Sequence, residues 1–287
     1  MRYIDAIKGG FVAFIIFGIA SIYVPGIGPS DDVKLILTIS TFLFAIIAGF
    51  FISRFNSRYD KMRELVATED AYFLSLYNMS KFYGESFSKK MSEIIDKYYL
   101  ISYDFELGTY YKHNAKYLDL IYEELRRLFK KIYSGTNKNR PSDSPFTRMT
   151  MYMAILEDTR NKSSVLSYEK IRKGQWIILF ILSSIIIFSI FYLKVPEIYS
   201  QVITVLLSTT LVLVLLILRD LQNLRLGGTN LIMESGEEVF EEIGKLRYYN
   251  KKDVDSGMAN IPKHIKKYRL GLHKPGEKSN IKVVKNK

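Results

Sequence analysis

The sequence predicts an all-α integral membrane protein with four spans and a helical cytoplasmic body. Of the 287 residues, 48% are hydrophobic, and they gather in four runs that contain no Lys, Arg, Asp or Glu. The charged residues collect between and after these runs, and no alternating strand pattern extends beyond a few residues. The four runs have the length and composition of membrane helices. They are Gly9–Val24, Leu35–Ile52, Gln175–Leu193 and Ser200–Leu218.

Residues 1–84 are predicted to form a membrane hairpin whose second helix extends into the cytoplasm. The first run ends at Pro25-Gly26, where a missing amide and a flexible backbone stop a helix. The basic start of the chain also fits a cleaved signal peptide. Asp5, and a second apolar run close behind the first, favour the hairpin.

The stretch Leu35–Gly84 has no Pro and is predicted to be one long helix. At 1.5 Å per residue its apolar part, Leu35–Ile52, spans roughly 27 Å, close to the thickness of a hydrocarbon core. Basic residues follow at once, and apolar side chains from Leu65 to Met79 continue at helical spacing. Such a helix either links a membrane pore to a cytoplasmic body or anchors a helical stalk.

Residues 85–174 are predicted to be a cytoplasmic helical insertion. Tyr117–Tyr133 shows the clearest helical pattern, with apolar side chains at steps of three and four residues. A polar loop, Thr136–Ser144, follows it. Ser144-Pro145 is then typical of an N-cap followed by Pro at the first helical position.

After the second membrane hairpin, residues 175–218, we expect a cytoplasmic helix within 219–249 and a basic, disordered tail over 250–287. The acidic segment Ser235–Leu246 has a helical pattern. The tail loses the apolar period and is rich in Lys and Arg, a composition typical of disorder. Its charge makes anionic lipids of the inner leaflet a predicted partner.

The distribution of basic residues predicts the topology. The two loops assigned to the outside contain only Lys34 and Lys194 of the 41 Lys and Arg residues. The positive-inside rule therefore predicts a multi-pass protein of the cell membrane with both termini in the cytoplasm. This bias already explains most of the net charge of +12, so no nucleic-acid partner is predicted.

The sequence indicates no catalytic, cofactor or metal site. It has no Cys, which excludes disulfides and thiolate ligands. His113, His264 and His273 lie in unrelated contexts and are interpreted as polar surface residues, because zinc needs three or four converging ligands. An acidic group is interpreted as an exposed helix face rather than as a cation site: Glu234, Glu237, Glu238, Glu241 and Glu242. A tyrosine group is interpreted as part of the core rather than as a ligand cage: Tyr98, Tyr99, Tyr103, Tyr110 and Tyr111.

The best functional candidate is one face of the second membrane helix. Thr38, Phe42 and Ile46 recur every four residues, and Gly49 lies close to the same face. Several copies around an axis would form an apolar constriction, a neck that gates ion flow by dewetting. A single four-helix unit leaves no room for such a path. The alternative is that this face contacts lipid or packs against another helix.

The run GFFISRFNSRYDKMRELVATEDA resembles a segment of bestrophins and their prokaryotic relatives, in which an apolar helix passes into a polar extension. The counterparts here are Ser53-Arg54, Asn56 and Tyr59. The sequence is still more similar to the bestrophin-like family of prokaryotic membrane proteins, over the second membrane helix through Gly84 and over Lys170–Tyr249. The second region includes ILRDLQNLRLGG and EEVFEEIGKLRYY.

This resemblance implies a pentameric anion channel in which the second helix lines the pore. It places the neck at the four residues from Thr38 to Gly49, and a wider basic vestibule below it at Arg54, Asn56, Arg58 and Tyr59. Inorganic anions and further copies of the chain are then the partners. The runner-up is a membrane scaffold or signalling protein whose cytoplasmic helices bind a partner.

The sequence departs from the family pattern at two places, and a third feature weakens the anion assignment. Thr38 stands where an apolar residue is usual, and only Asp220 follows Arg219 where animal bestrophins have an acidic calcium-binding cluster. Asp31 and Asp32 lie at the outer mouth, where carboxylates favour cations over anions.

Overall fold

The computed structural model describes residues 4–105, 110–133, 143–226, 231 and 233–286. Within these residues the chain forms nine α-helices, one short 3₁₀ helix at Lys81–Tyr83 and three β-strands. The helices are α1 Ala6–Tyr23, α2 Asp31–Ser80, α3 Glu85–Asp104, α4 Tyr110–Tyr133, α5 Asp143–Ser167, α6 Lys173–Leu193, α7 Ile198–Gln222, α8 Met233–Glu242 and α9 Lys251–Ser256. The strands are β1 Tyr248–Asn250, β2 Lys267–Gly271 and β3 Ile281–Lys285.

Four helices in the described part of the chain are long and apolar enough to cross a membrane: α1, α6, α7 and the helix that begins at Asp31. The chain divides into two compact units. We call them the membrane unit, Met1–Asp60 with Glu169–Thr229, and the body unit, Lys61–Tyr168 with Asn230–Lys287.

In the membrane unit, α1 packs along α7. Two glycines permit this close approach, because a Cβ on Gly9 would lie 2.6 Å from Leu216 Cδ1 and a Cβ on Gly10 3.1 Å from Leu213 Cδ1. Asp5 caps the start of α1 by accepting a hydrogen bond from the Lys8 amide at 2.8 Å. The first membrane helix therefore begins three residues before the apolar run that indicates it.

The second helix is continuous, since α2 has 50 residues and runs from Asp31 to Ser80. The 3₁₀ turn extends it to Gly84, whose φ of 95° permits the change of direction into α3. The uninterrupted apolar-to-polar pattern from Leu35 to Gly84 thus corresponds to one helix and its terminating turn.

The core of the body unit is aromatic. The C-terminal half of α2 contributes Phe73 and Leu76, and α3 contributes five large side chains that are almost fully buried. Helices α4, α5 and α8 and the strands close the core around them. The main buried contributors are Met91, Ile95, Tyr98, Tyr99, Tyr103, Ile121, Leu125, Met153, Leu156, Phe240, Tyr248 and Tyr249.

The C-terminal region is folded, which differs from the disordered tail predicted over 250–287. Strand β1 pairs in parallel with β2, and β2 pairs antiparallel with β3. The apolar residues are too few and too widely separated by Lys to give a periodic signal, but Ile265 and Tyr268 are buried in the body core. Arg269 also forms a bidentate ion pair with Asp96 of α3, with N–O distances of 2.6 and 2.9 Å. The all-α prediction is therefore incomplete, because the protein also contains a small mixed β-sheet.

Candidate functional site

Helix α2 has two different sides within the membrane unit. Its packed side carries buried residues at steps of three and four: Ser40, Phe44, Ala48, Phe51 and Phe55. The opposite side is exposed over the same length and is mostly apolar. An apolar helix face that its own chain leaves uncovered in a membrane contacts either lipid or another protein surface.

The four predicted neck residues all lie on this exposed side. Taking 100° per residue, Thr38, Ile46 and Gly49 fall within about 40° of Phe42 around the helix. Phe42 is 66% exposed and Ile46 55% exposed. Gly49 would have no heavy atom within 4 Å of an added Cβ, and the Thr38 hydroxyl donates to the Lys34 carbonyl at 2.8 Å. The structure therefore brings the four residues onto one uncovered stripe.

Two of the four predicted vestibule residues do not share this stripe. Arg58 lies about 160° from Phe42 around the helix, and Tyr59 about 100° from it. Both side chains are buried. If Phe42 lines a pore, Arg58 and Tyr59 lie on the packed part of the α2 surface and not in that pore. The vestibule prediction therefore does not fit these two residues.

The other two predicted vestibule residues are exposed. Asn56 continues the stripe, about 40° from Phe42, and its amide nitrogen lies 3.3 Å from the Asp60 carboxylate. Arg54 lies to the side of the stripe, and its Nε donates to Glu169 Oε1 at 2.8 Å. The polar surface that follows the apolar stripe is therefore an amide and a carboxylate rather than a cluster of basic groups.

Arg58 has a different role, because it binds the end of α7. Its Nη1 donates to the Gln222 carbonyl at 3.0 Å. The Gln222 side-chain oxygen accepts hydrogen bonds from the Ile171 amide at 3.1 Å and from Trp176 Nε1 at 3.0 Å. Gln222 thus joins α2, α7 and the beginning of α6, and this junction fixes the end of the membrane unit where all three meet.

Two buried charges, which the sequence does not single out as partners, hold the ends of α1. At its beginning, Asp220 Oδ2 accepts a hydrogen bond from the Ala6 amide at 2.8 Å. At its end, Lys194 Nζ donates to the carbonyls of Ser21 and Val24, each at 2.5 Å. A carboxylate at the N-terminus and an ammonium at the C-terminus both complement the helix dipole. The only sequence signal for them is that Lys194 directly follows the third apolar run and that Asp220 lies two positions after the end of the fourth.

The histidines do not converge. The ring of His113 stacks on Phe105 with centroids 3.8 Å apart, and His264 is exposed. His273 differs from the surface residue predicted, because its Nε2 lies 2.8 Å from Asp104 Oδ2 and both side chains are buried. Asp104 also accepts a hydrogen bond from the Tyr248 hydroxyl at 2.5 Å. The Asp104–His273 contact therefore attaches the segment between β2 and β3 to α3.

The acidic helix α8 is tied to the protein's own Arg247. Glu241 accepts from Arg247 Nε at 2.7 Å, and Glu237 also pairs with Arg247. Burial raises the pKa of Glu237 in spite of this partner. Glu238 and Glu242 are exposed, while the side chain of Glu234 lies outside the described residues. Among the described residues, no group of three or more His, Cys, Asp or Glu could hold a metal ion.

The tyrosines are core residues, as interpreted from the sequence, although the side chain of Tyr110 lies outside the described part. Two neighbours on α3 bind two neighbouring carboxylates on α2. Tyr98 donates to Glu69 at 2.5 Å, and Tyr99 donates to Asp70. Burial, together with the adjacent carboxylates, raises the pKa of both phenols well above 10.0. The two pairs join α2 to α3 inside the body unit.

Four long apolar helices, all of which expose apolar side chains, define a polytopic helical membrane protein. Residues 29–223 match the family model described as the Bestrophin-like domain, which covers more than half of the chain. The chain belongs to the bestrophin-like family, and the family prediction made from its motifs is confirmed. No curated protein and no solved structure matches the chain.

Proposed function

We propose that this protein is a homo-oligomeric, anion-permeable channel, with the pentamer that the bestrophin resemblance implies. The exposed apolar stripe of α2 is the observation that carries the proposal. Phe42 and Ile46 are large, apolar and uncovered on a helix that is firmly seated on its other side through Arg58 and Gln222. Membership of the bestrophin-like family supports the assignment of this helix to the pore.

The barrier in such a neck is hydration. A ring of Phe42 and Ile46 side chains offers no hydrogen bond to a passing ion or to water, so a narrow ring empties by dewetting. Thr38 then lies on the outer side of the ring, and Gly49, without a side chain, lies where the path widens.

The charges near the stripe do not by themselves attract anions. Asp31 at the start of α2 is paired with Lys34 at 2.9 Å, which reduces its field at the mouth. Asn56 and Asp60 follow the apolar stripe and bring no net positive charge. We therefore propose that anions pass chiefly because the apolar ring favours weakly hydrated ions, and not because a basic vestibule attracts them.

We propose a cell-membrane location with both termini in the cytoplasm. The support is the positive-inside bias, since the two short loops assigned to the outside contain only Lys34 and Lys194. Lys194 is buried against the end of α1 and is not a free loop charge. In this orientation α6 begins, and α7 ends, at the cytoplasmic face.

Reversal potentials in planar bilayers test the proposed function. With a KCl gradient across a bilayer containing the purified oligomer, we expect a potential displaced toward the chloride equilibrium value. Asn56→Asp adds a carboxylate of nearly the same size on the stripe and should move this potential toward that of potassium. A wild-type potential that follows potassium would contradict anion permeability. Absence of conductance at every voltage and salt concentration would favour the membrane scaffold instead.

A further inference from the structure

An apolar groove lies between α6 and α7 within the membrane unit and has a volume of about 550 Å³. Its residues lie between Trp176 and Ile187 of α6 and between Val212 and Gln222 of α7. The groove thus lies at one end of the membrane-spanning segments. Its apolar walls include Trp176, Phe180, Ile187, Val212, Leu215 and Leu216.

The charged end of this groove is basic. Arg219 is the one ionisable residue that lines the groove in the part of the chain that the structure describes. Arg172 and Lys173 are exposed at the start of α6, four and three residues before Trp176. Lys173 continues the groove-lining face of α6 by this spacing, and Arg172 is the N-cap residue directly before it. The site therefore has an apolar channel and a positively charged rim.

The wall at the basic end is preformed. Trp176 Nε1 donates to the Gln222 side chain at 3.0 Å, which fixes the indole ring, and the ring stacks on Phe180 with centroids 5.4 Å apart. The polar groups of this wall are thus satisfied within the protein, and its apolar ring faces are left to contact a ligand. A preformed apolar groove binds a flexible chain without the cost of ordering its own walls.

We propose that this groove binds one acyl chain of an anionic phospholipid, with the headgroup on Arg172 and Lys173. In the proposed topology the basic end lies at the cytoplasmic face, where lipids of the inner leaflet are present. An apolar channel between membrane helices suits an acyl chain, and a basic rim suits a phosphate with net negative charge. Each basic residue near such a headgroup contributes about a fivefold gain in affinity.

Trp176 makes the site directly measurable, because it is the only Trp in the chain. The full-length protein is placed in vesicles of equal parts phosphatidylglycerol and phosphatidylcholine. Bromine, which quenches indole fluorescence on contact, is attached to the acyl chains of one lipid or of the other. We expect brominated phosphatidylglycerol to quench Trp176 more strongly than brominated phosphatidylcholine at the same mole fraction.

Two variants separate the groove from general attraction to the basic surface. The double variant Arg172→Gln/Lys173→Gln should lower the preference for the anionic lipid at least fivefold. Ser184→Phe, which fills the groove two turns beyond Trp176, should also abolish the preference. Ile181→Phe is the matched control on an exposed face outside the groove and should leave it unchanged. If Ser184→Phe fails to fold, Val212→Phe fills the groove from α7.

Three results would overturn the proposal. A preference lost only in the charge variant would show an anionic lipid layer around the protein with no chain in the groove. Equal quenching by the two lipids would contradict an anionic ligand. Absence of quenching by either lipid would show that a second copy of the chain covers the groove.

Discussion

The Asp220 carboxylate accepts a hydrogen bond from the Ala6 amide at 2.8 Å, although the two residues are 214 positions apart. The same carboxylate pairs with Arg219, which in turn donates to the Ile4 carbonyl at 2.6 Å. The last turn of α7 thus supplies both the acceptor and the donor that the beginning of α1 needs. Together with Lys194 at the other end, it fixes the first membrane helix at both termini.

Replacing Asp220 should detach the beginning of α1. Asp220→Ala leaves Arg219 without its buried ion partner and the Ala6 amide without an acceptor, so we expect a loss of about 3 kcal/mol of stability. In detergent, this corresponds to a fall in Tm of at least about 5 °C. Asp31→Ala is the control, because its exposed ion pair contributes little. Equal Tm values for the two variants would contradict the role of Asp220.

Two glycines of the first hairpin should respond to alanine in opposite ways. A Cβ on Gly26 would lie 1.9 Å from the Lys194 backbone carbonyl oxygen, whereas a Cβ on Gly18 would meet no atom within 4 Å. Gly26→Ala should therefore cost about 2 kcal/mol or more through overpacking. Gly18→Ala should leave stability unchanged or raise it slightly, since alanine favours a helix. Thermal unfolding of the two variants side by side measures the difference, and a neutral Gly26→Ala would refute the close approach.

The body unit should lose stability at alkaline pH. The pKa values of Tyr98 and Tyr99 are raised in the folded state, so the unfolded chain releases these protons first. Their contribution is complete below about pH 10 and falls by about 1.4 kcal/mol per pH unit for each tyrosine above it. Chemical unfolding from neutral pH to about pH 11 measures this slope.

The control for this pH dependence is Tyr98→Phe/Tyr99→Phe. Its stability at neutral pH should be lower, because Glu69 and Asp70 each lose a buried hydrogen-bond donor. Its further loss above pH 10 should be smaller than that of the wild type, because phenylalanine does not ionise. The same slope in both proteins would contradict the assignment to these two residues.

The helices could be predicted from the sequence because their signals are local. Long apolar runs indicate the membrane helices, and the pattern from Leu35 onward carries the continuity of α2. The C-terminal sheet could not be predicted, since β2 and β3 have five residues each and basic residues interrupt their apolar positions. Contacts that exist only in the folded chain, such as that of Arg269 with Asp96 of α3, determine their place in the fold.

The candidate site could be predicted only where its signal is local in the sequence. A four-residue recurrence places Phe42 and Ile46 on one face without any knowledge of the fold. The same count along the helix places Arg58 on the opposite side of α2. Its partner Gln222, however, lies 164 positions away and is not recognisable from the sequence. The partners of Asp220 and Lys194 are distant in the same way, so neither residue is recognisable as a helix cap from its neighbours in sequence.

Single-channel conductance of Phe42→Ala/Ile46→Ala tests the central claim most directly. If the exposed stripe of α2 is the neck, removing its two largest side chains should widen and hydrate the path, and conductance should rise severalfold without reversal of selectivity. Ile36→Ala/Phe50→Ala is the matched control, because it removes the same two residue types at exposed positions about 80° to 120° from Phe42. The account predicts a rise only in the first variant. Currents equal to the wild type in the first variant, or an equal rise in both, would contradict it.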